Sequence, residues 1–172
     1  DQMLACKIPK QGQMRLAPML NETGKLIGDY TLTKLEEDDF LIIGSGVAEE
    51  YHLRWFNEFL DPELDVHVVP QSSTMLGLAI AGPKSRELME NVSSYDCSNE
   101  HFRFMEMKLM PVGICECLVG RVSYTGDLGF EIWMEAENQR TVFQTLMEAG
   151  ESLGIGLFGL RALNSLRLEK NY

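Results

Sequence analysis

Short apolar runs alternate with polar turns over the first part of the chain, and the spacing then becomes helical. Gln13–Leu20 and Leu26–Leu35 are predicted to be two strands, because the Asn, Thr and Gly residues between them favour a tight reversal. Phe40–Ile43 is short and fully apolar, which predicts a central strand. Val47–Leu60 places large apolar residues at helical spacing, and Val66–Val69 is predicted to return as a strand.

A second round of the same pattern begins with a predicted strand at Leu76–Ala81 and a helix that starts at Pro83, a residue suited to a first helical turn. The later elements are predicted strands near Cys115–Tyr124 and Gly129–Met134 and helices at Gln139–Ala149 and Gly159–Glu169. The pattern predicts an α+β fold of two ferredoxin-like lobes, residues 1–72 and 73–172. The break is placed near Val69–Thr74, where Pro, Gln and Ser cluster.

Composition narrows the classes of protein that fit. The chain has 172 residues, of which 45% are hydrophobic and 24% charged, values typical of a globular protein. Its formal net charge of -11 argues against a nucleic-acid partner. It lacks the run of about 18 apolar residues that a membrane span requires.

The four cysteines are interpreted as reduced and structural. Cys115 and Cys117 lie two residues apart on a predicted strand, so both side chains point to one face. Two such ligands without neighbouring histidines do not make a zinc site. Reduced cysteines indicate a reducing compartment.

Two further features are weak signals of chemistry. Gly44–Gly46 follows a strand and opens a helix, as a phosphate-binding loop does, but lacks the third glycine of a dinucleotide site. A tight strand-to-helix turn is the better interpretation. His52, His67 and His101 show no spacing typical of a metal site or a catalytic triad.

A few charged residues are candidates for a site, each with an ordinary alternative. Asp29 lies within a predicted strand, where it faces either solvent or a ligand. Glu131 points to the face opposite Phe130 and its other neighbour, which also fits a plain hairpin with an outward glutamate. Arg161 and Arg167, on the last helix, are either surface residues or ligands for a carboxylate or phosphate.

Several segments occur together in a characteristic order. They are Pro18–Asn21, Gly24–Asp29 (GKLIGD), Phe40–Gly46, Leu53–Trp55, Ala81–Pro83, Ser123–Glu131 (SYTGDLGFE) and Phe158–Lys170. The series resembles the folate-binding aminomethyltransferase domain of the glycine-cleavage T-protein type. It is most similar to the C-terminal half of dimethylglycine and sarcosine dehydrogenases, and the resemblance covers nearly the whole chain.

The resemblance implies an activity and its partners. A flavin (FAD) domain, fused or separate and absent from this chain, oxidises an N-methyl amine. The folate domain then accepts the one-carbon unit on tetrahydrofolate to give 5,10-methylenetetrahydrofolate. The alternative is a non-catalytic module of the same fold that binds folate or a protein. Such proteins are expected in the bacterial cytoplasm or the mitochondrial matrix.

The resemblance also assigns roles to individual residues. Asp29 falls on the catalytic aspartate, and Glu131 on the carboxylate that pairs with the amino edge of the pterin. Tyr124 falls on a tyrosine that lines the folate cleft. Arg161 is the best candidate for recognition of an anion, and Arg167 is a weaker one.

Two departures from the T-protein pattern stand out: Gly28 replaces a second aspartate, and Ser45 stands near the position of an asparagine. Both changes resemble the dehydrogenase branch. The chain is expected to be a fragment that starts inside the first lobe and ends before a C-terminal β-barrel. Faces that the missing parts would cover are then expected to be exposed and to promote self-association.

Overall fold

A computed structural model describes residues 3–171. The chain divides into two compact units, Asp1–Ser73 and Thr74–Tyr172. Each unit is built on an antiparallel sheet with helices, so the expectation of a mixed α and β fold is confirmed. Among the described residues, the helices are all too short or too polar to cross a membrane.

The first unit is a three-stranded meander with one helix. The strands β1 (Met14–Leu20), β2 (Leu26–Lys34) and β3 (Phe40–Ile43) pair in chain order. A single 3-10 turn then leads into α1 (Glu49–Phe59), so Gly44–Gly46 forms the predicted strand-to-helix turn. The small core joins one face of the sheet to the helix through Ala17, Met19, Tyr30, Leu32 and Phe56.

Two predictions for this unit are wrong. β3 was expected to be central, but it pairs only with β2 and forms an edge of the sheet. Val66–Val69 was expected to be a strand, but it is irregular, and Val66 and Val69 are 47% and 65% exposed. Both segments are short apolar runs, whose position in a sheet depends on pairing with residues distant in sequence.

The second unit contains a four-stranded sheet. Its elements are β4 (Met75–Ala81), α2 (Ser85–Val92), β5 (Met107–Val112), β6 (Cys115–Gly120), β7 (Gly129–Glu135), α3 (Gln139–Gly150) and α4 (Leu160–Glu169). The strand order is β4-β7-β6-β5, and every neighbouring pair is antiparallel.

This order differs from that of a ferredoxin-like lobe. In a split β-α-β unit, the two strands joined by a helix run parallel with one strand between them. Here α2 joins β4 to β5, which lie at opposite edges of the sheet and run in opposite directions. The strand–turn–helix repeats in the sequence predicted the elements, but they contain no information about which strands pair.

One face of this sheet forms the larger core. Phe130, Ile132 and Val119 are fully buried, and they belong to one cluster with residues of α2 and α3. Cys115 and Cys117 are buried on the same face and free, as the structural interpretation predicts. Burial raises the pKa of the Cys117 thiol to about 11, which keeps it protonated and unreactive.

Candidate functional site

The opposite face of the second unit's sheet carries Glu131. Alternation along β7 sends Phe130 and Ile132 into the core and Glu131 to the other side, as predicted. In the register of the sheet, Glu131 lies between Ala79 on β4 and Gly120 on β6. Both neighbours are small, so no bulky side chain flanks the carboxylate on either adjacent strand, and this position between Ala79 and Gly120 is termed the recess.

The Glu131 carboxylate is half-buried and short of donors. Burial raises its pKa above the ordinary value, because a charge is less well solvated there, and the side chain of Trp133 partly opposes this effect. Among residues 3–171, Glu131 forms no ion pair. A carboxylate in such a place can accept hydrogen bonds from a ligand that carries paired N–H groups.

The loop before β7 is fixed by short-range contacts. The hydroxyls of Ser123 and Thr125 lie 2.8 Å apart, and the backbone N–H of Asp127 donates to Thr125 Oγ1 at 3.2 Å. Gly126 adopts a φ of 76°, a left-handed conformation that glycine accepts without strain. A β-carbon at Gly129 would lie 2.5 Å from the carbonyl oxygen of Ile80, so the loop closes tightly onto β4.

Helix α4 is attached to this loop by two polar contacts. Arg167 Nη1 donates to the Tyr124 hydroxyl at 2.9 Å, and the guanidinium carbon lies 5.2 Å from the centre of the same ring. The Lys170 ammonium forms an ion pair with Asp127 at 2.8 Å. Tyr124 remains 46% exposed, so its ring is held in place with one side open.

The two arginines named from the sequence have different surroundings. Arg167 is half-buried, and its Nε is buried without a hydrogen-bond partner in the described part of the chain. Arg161 is exposed and has no hydrogen bond or ion pair with residues 3–171. The structure therefore brings Arg167 together with Tyr124, and leaves Arg161 on the surface.

Asp29 belongs to the first unit. It lies on β2 opposite Pro18, and its side chain is exposed. Leu16 lies on the same face of the sheet and is 71% exposed. The exposed Asp29 side chain thus shares its face of the sheet with an exposed apolar side chain.

Close packing on the core face of β2 explains why position 28 is glycine. A β-carbon on Gly28 would lie 2.7 Å from both His52 Nε2 and the Tyr30 hydroxyl oxygen. The two rings pack edge to face with centres 5.0 Å apart. Burial, followed by the charge of Asp29, raises the pKa of Tyr30 to about 12. Tyrosine and histidine fill the space that the second aspartate of the T-protein pattern would need.

The structure adds residues that the sequence interpretation missed. Trp133 lies on the same face as Glu131, two residues along β7, and alternation alone could have indicated it. Gly77, Gly120 and Ala79 become neighbours only through strand pairing, which the sequence did not reveal. Within the described residues, no three His, Cys, Asp or Glu side chains are grouped as a metal site would require.

Comparisons with known proteins agree with this architecture. Dimethylglycine dehydrogenase from Mus musculus is 33% identical over 173 aligned residues, which cover 100% of this chain and 20% of the enzyme. An aminomethyltransferase from Halothermothrix orenii is 32% identical, with 95% of this chain and 44% of that protein covered. The crystal structure of glycine cleavage system aminomethyltransferase T from Bartonella henselae superposes with a TM-score of 0.79 at 26% identity, covering 95% of this chain and 42% of that one.

The chain therefore spans about a fifth of the mouse dehydrogenase and less than half of the aminomethyltransferases. The family match is complete along its length, because residues 1–172 all fall within it. The chain belongs to the GCVT N-terminal domain family, the aminomethyltransferase-type domain that also occurs in dimethylglycine dehydrogenase.

Proposed function

We propose that this chain binds tetrahydrofolate and accepts a one-carbon unit from an oxidised N-methyl amine of the dimethylglycine or sarcosine type. The observation that carries the proposal is Glu131, a half-buried carboxylate in a recess between Ala79 and Gly120. It occupies the position at which the resemblance places the acceptor for the amino edge of a pterin. The names of the relatives, dimethylglycine dehydrogenase and aminomethyltransferase, support the same chemistry.

The residues of the second unit fit a pterin in physical terms. A 2-amino-pterin edge carries two adjacent N–H donors, and a carboxylate accepts both in a bidentate pair. The small side chains at 79 and 120 leave room for a flat ring to approach the sheet. Tyr124, held by Arg167, offers an aromatic ring whose open side is available for packing against the ligand.

Asp29 is the proposed catalytic residue. Its carboxylate is exposed and forms no hydrogen bond or ion pair with described residues, so it is available to a substrate. When bound, tetrahydrofolate supplies the nitrogen atoms that take up the one-carbon unit. Asp29 stabilises positive charge on the incoming one-carbon donor and assists proton transfer. The amine is oxidised by a flavin-dependent dehydrogenase domain outside this chain, fused or separate.

The test is titration calorimetry of the chain with tetrahydrofolate under anaerobic, reducing conditions. We expect saturable binding that Glu131→Gln weakens by about 2–3 kcal/mol, or roughly thirty- to a hundred-and-fiftyfold. Asp29→Asn is expected to keep the affinity within about threefold, because its proposed role concerns the reaction more than the binding.

Glu135→Gln is the matched control. Glu135 lies on the same strand and the same face as Glu131, but it is exposed, and its substitution changes the net charge equally. It should leave the affinity within about twofold. Absence of binding by the folded chain, or equal effects of the two glutamine variants, would contradict the proposal.

A further inference from the structure

Alternation along β7 places Trp133 on the same face of the sheet as the carboxylate of the proposed site. Glu131 and Trp133 are two residues apart on β7, so both point away from the core cluster. Trp133 is opposite Gly77 on β4 and Leu118 on β6. The recess that holds Glu131 is therefore continued, along the same face, by the indole.

The indole lies across Gly77. A β-carbon at Gly77 would be 2.6 Å from Cζ3, 2.8 Å from Cε3 and 2.9 Å from Cη2 of Trp133. All three atoms belong to the benzene half of the ring. Glycine at this position therefore leaves the space that the benzene half of the indole occupies.

That N–H edge is buried but makes no hydrogen bond of standard geometry. Nε1 of Trp133 is one of three side-chain nitrogen or oxygen atoms, among the described residues, that are buried without a partner. A buried donor without an acceptor costs free energy, so such an atom calls for an explanation. The Trp133 side chain lowers the pKa of Glu131, against the larger, opposite effect of burial, and alternation puts the two side chains on one face of the sheet.

We propose that Trp133 is the positioning residue of this site: its indole, seated on Gly77, directs Nε1–H to Glu131 and holds the carboxylate as an acceptor for paired N–H donors. This inference rests on the proposed function for the identity of the ligand, but not for the contact itself. On ionisation, the carboxylate accepts the hydrogen bond that the buried N–H lacks in this structure, and this contact occupies one lone pair of one oxygen. The remaining lone pairs stay available to a ligand.

The test uses the indole N–H as its own probe. The chain contains two tryptophans, Trp55 and Trp133, so a 1H–15N correlation spectrum shows two indole N–H signals. The signal that is lost in Trp55→Phe belongs to Trp55, and the other belongs to Trp133. We expect the Trp133 signal to shift with pH in a single transition that follows the ionisation of Glu131. The transition should disappear in Glu131→Gln, which leaves both indoles in place.

Trp133→Phe supplies the reciprocal measurement. It keeps an aromatic ring on Gly77 but removes the N–H, so the pKa of Glu131, followed by its side-chain carbonyl carbon signal, should rise above that of the wild-type chain. Tetrahydrofolate binding at pH 7 should weaken by roughly tenfold. Trp55→Phe, in the other unit, is the control and should change neither quantity.

The outcomes separate this inference from the proposed function. An indole signal that ignores the ionisation of Glu131, or an unchanged pKa in Trp133→Phe, would overturn the positioning role. If Trp133→Phe does not fold, the pH titration of the wild-type chain and of Glu131→Gln still decides the matter. A coupled titration without any folate binding would instead support the contact and contradict the proposed function.

Discussion

The neighbours of Gly28 leave no room for a side chain, which predicts that substitution of this residue lowers the stability of the first unit. In Gly28→Ala, the new methyl group would lie 2.7 Å from His52 Nε2 and from the Tyr30 hydroxyl oxygen. Ordinary contacts of a β-carbon begin near 3.4 Å, so both atoms must retreat by about 0.7 Å. Tyr30 and His52 are 5% and 8% exposed, so both move against packed neighbours.

The magnitude follows from two opposing effects. Overpacking of a well-packed site costs about 1–3 kcal/mol of unfolding free energy. Replacement of glycine by alanine also reduces the freedom of the unfolded chain, which offsets about 0.4–1 kcal/mol. We therefore expect Gly28→Ala to destabilise the first unit by about 1–2 kcal/mol.

Urea unfolding measures this loss if the signal comes from the first unit alone. In a Trp133→Phe background, the remaining tryptophan is Trp55 on α1, whose ring centre lies 4.6 Å from that of Phe59, and its fluorescence is excited selectively over that of the tyrosines. With a slope near 1 kcal/mol per molar urea for a unit of this size, the midpoint should fall by about 1–2 M. The same background serves for every variant in the series.

Two further variants show whether the contact is the cause. Gly46→Ala is the matched control, since a β-carbon there meets no atom within 4 Å; its midpoint should stay within about 0.5 M of the parent. Tyr30→Phe removes one of the two clashing atoms, so Gly28→Ala should cost less in that variant. A midpoint for Gly28→Ala equal to or above that of Gly46→Ala would refute this reasoning.

Three other predictions concern Glu131, Tyr124 and the cysteines. Burial raises the pKa of Glu131, so protonation of this residue favours the folded state. This contribution to stability is present at low pH and is lost as pH rises through the folded pKa. In thermal unfolding, Glu131→Gln should therefore be more stable than the wild-type chain at pH 7 but not at pH 3. Tyr124→Phe removes the hydroxyl that accepts the hydrogen bond from Arg167, so calorimetry should show folate binding weakened about threefold to tenfold. Arg161→Ala should change the affinity for folate by less than twofold, because Arg161 is exposed. Iodoacetamide at pH 8 should label only Cys6 in the folded chain and all four cysteines in urea, as counted by mass spectrometry, because the other three are buried.

Sequence patterns predicted most elements of the fold because helices and strands follow local periodicity. Gln139–Ala149 and Gly129–Met134 were each predicted to within a residue of the observed bounds at either end. The strand at Met107–Val112 was missed. It contains Pro111, which is tolerated because β5 forms an edge of the sheet, and that position depends on distant pairing.

In the candidate site too, local periodicity predicted the position of a residue on its own element, but not its contacts with residues distant in the chain. Alternation along β7 was enough to place Glu131 on the face opposite Phe130, so this part of the site was predictable. Arg161 was ranked above Arg167, but only Arg167 contacts Tyr124, forty-three residues away in the chain. Helical spacing places both arginines on α4, and which one meets the loop is decided by how the helix packs.

The close contact between the Trp133 indole and Gly77 also restricts which residues the protein can carry at these two positions. A large and a minimal residue face each other across β4 and β7, with contacts too close to admit one more carbon. Any side chain at position 77 therefore requires a smaller one at position 133, while a smaller residue at 133 opens a cavity unless 77 is enlarged. In variants of this chain selected for folding, a larger residue at position 77 should occur together with a smaller residue at position 133.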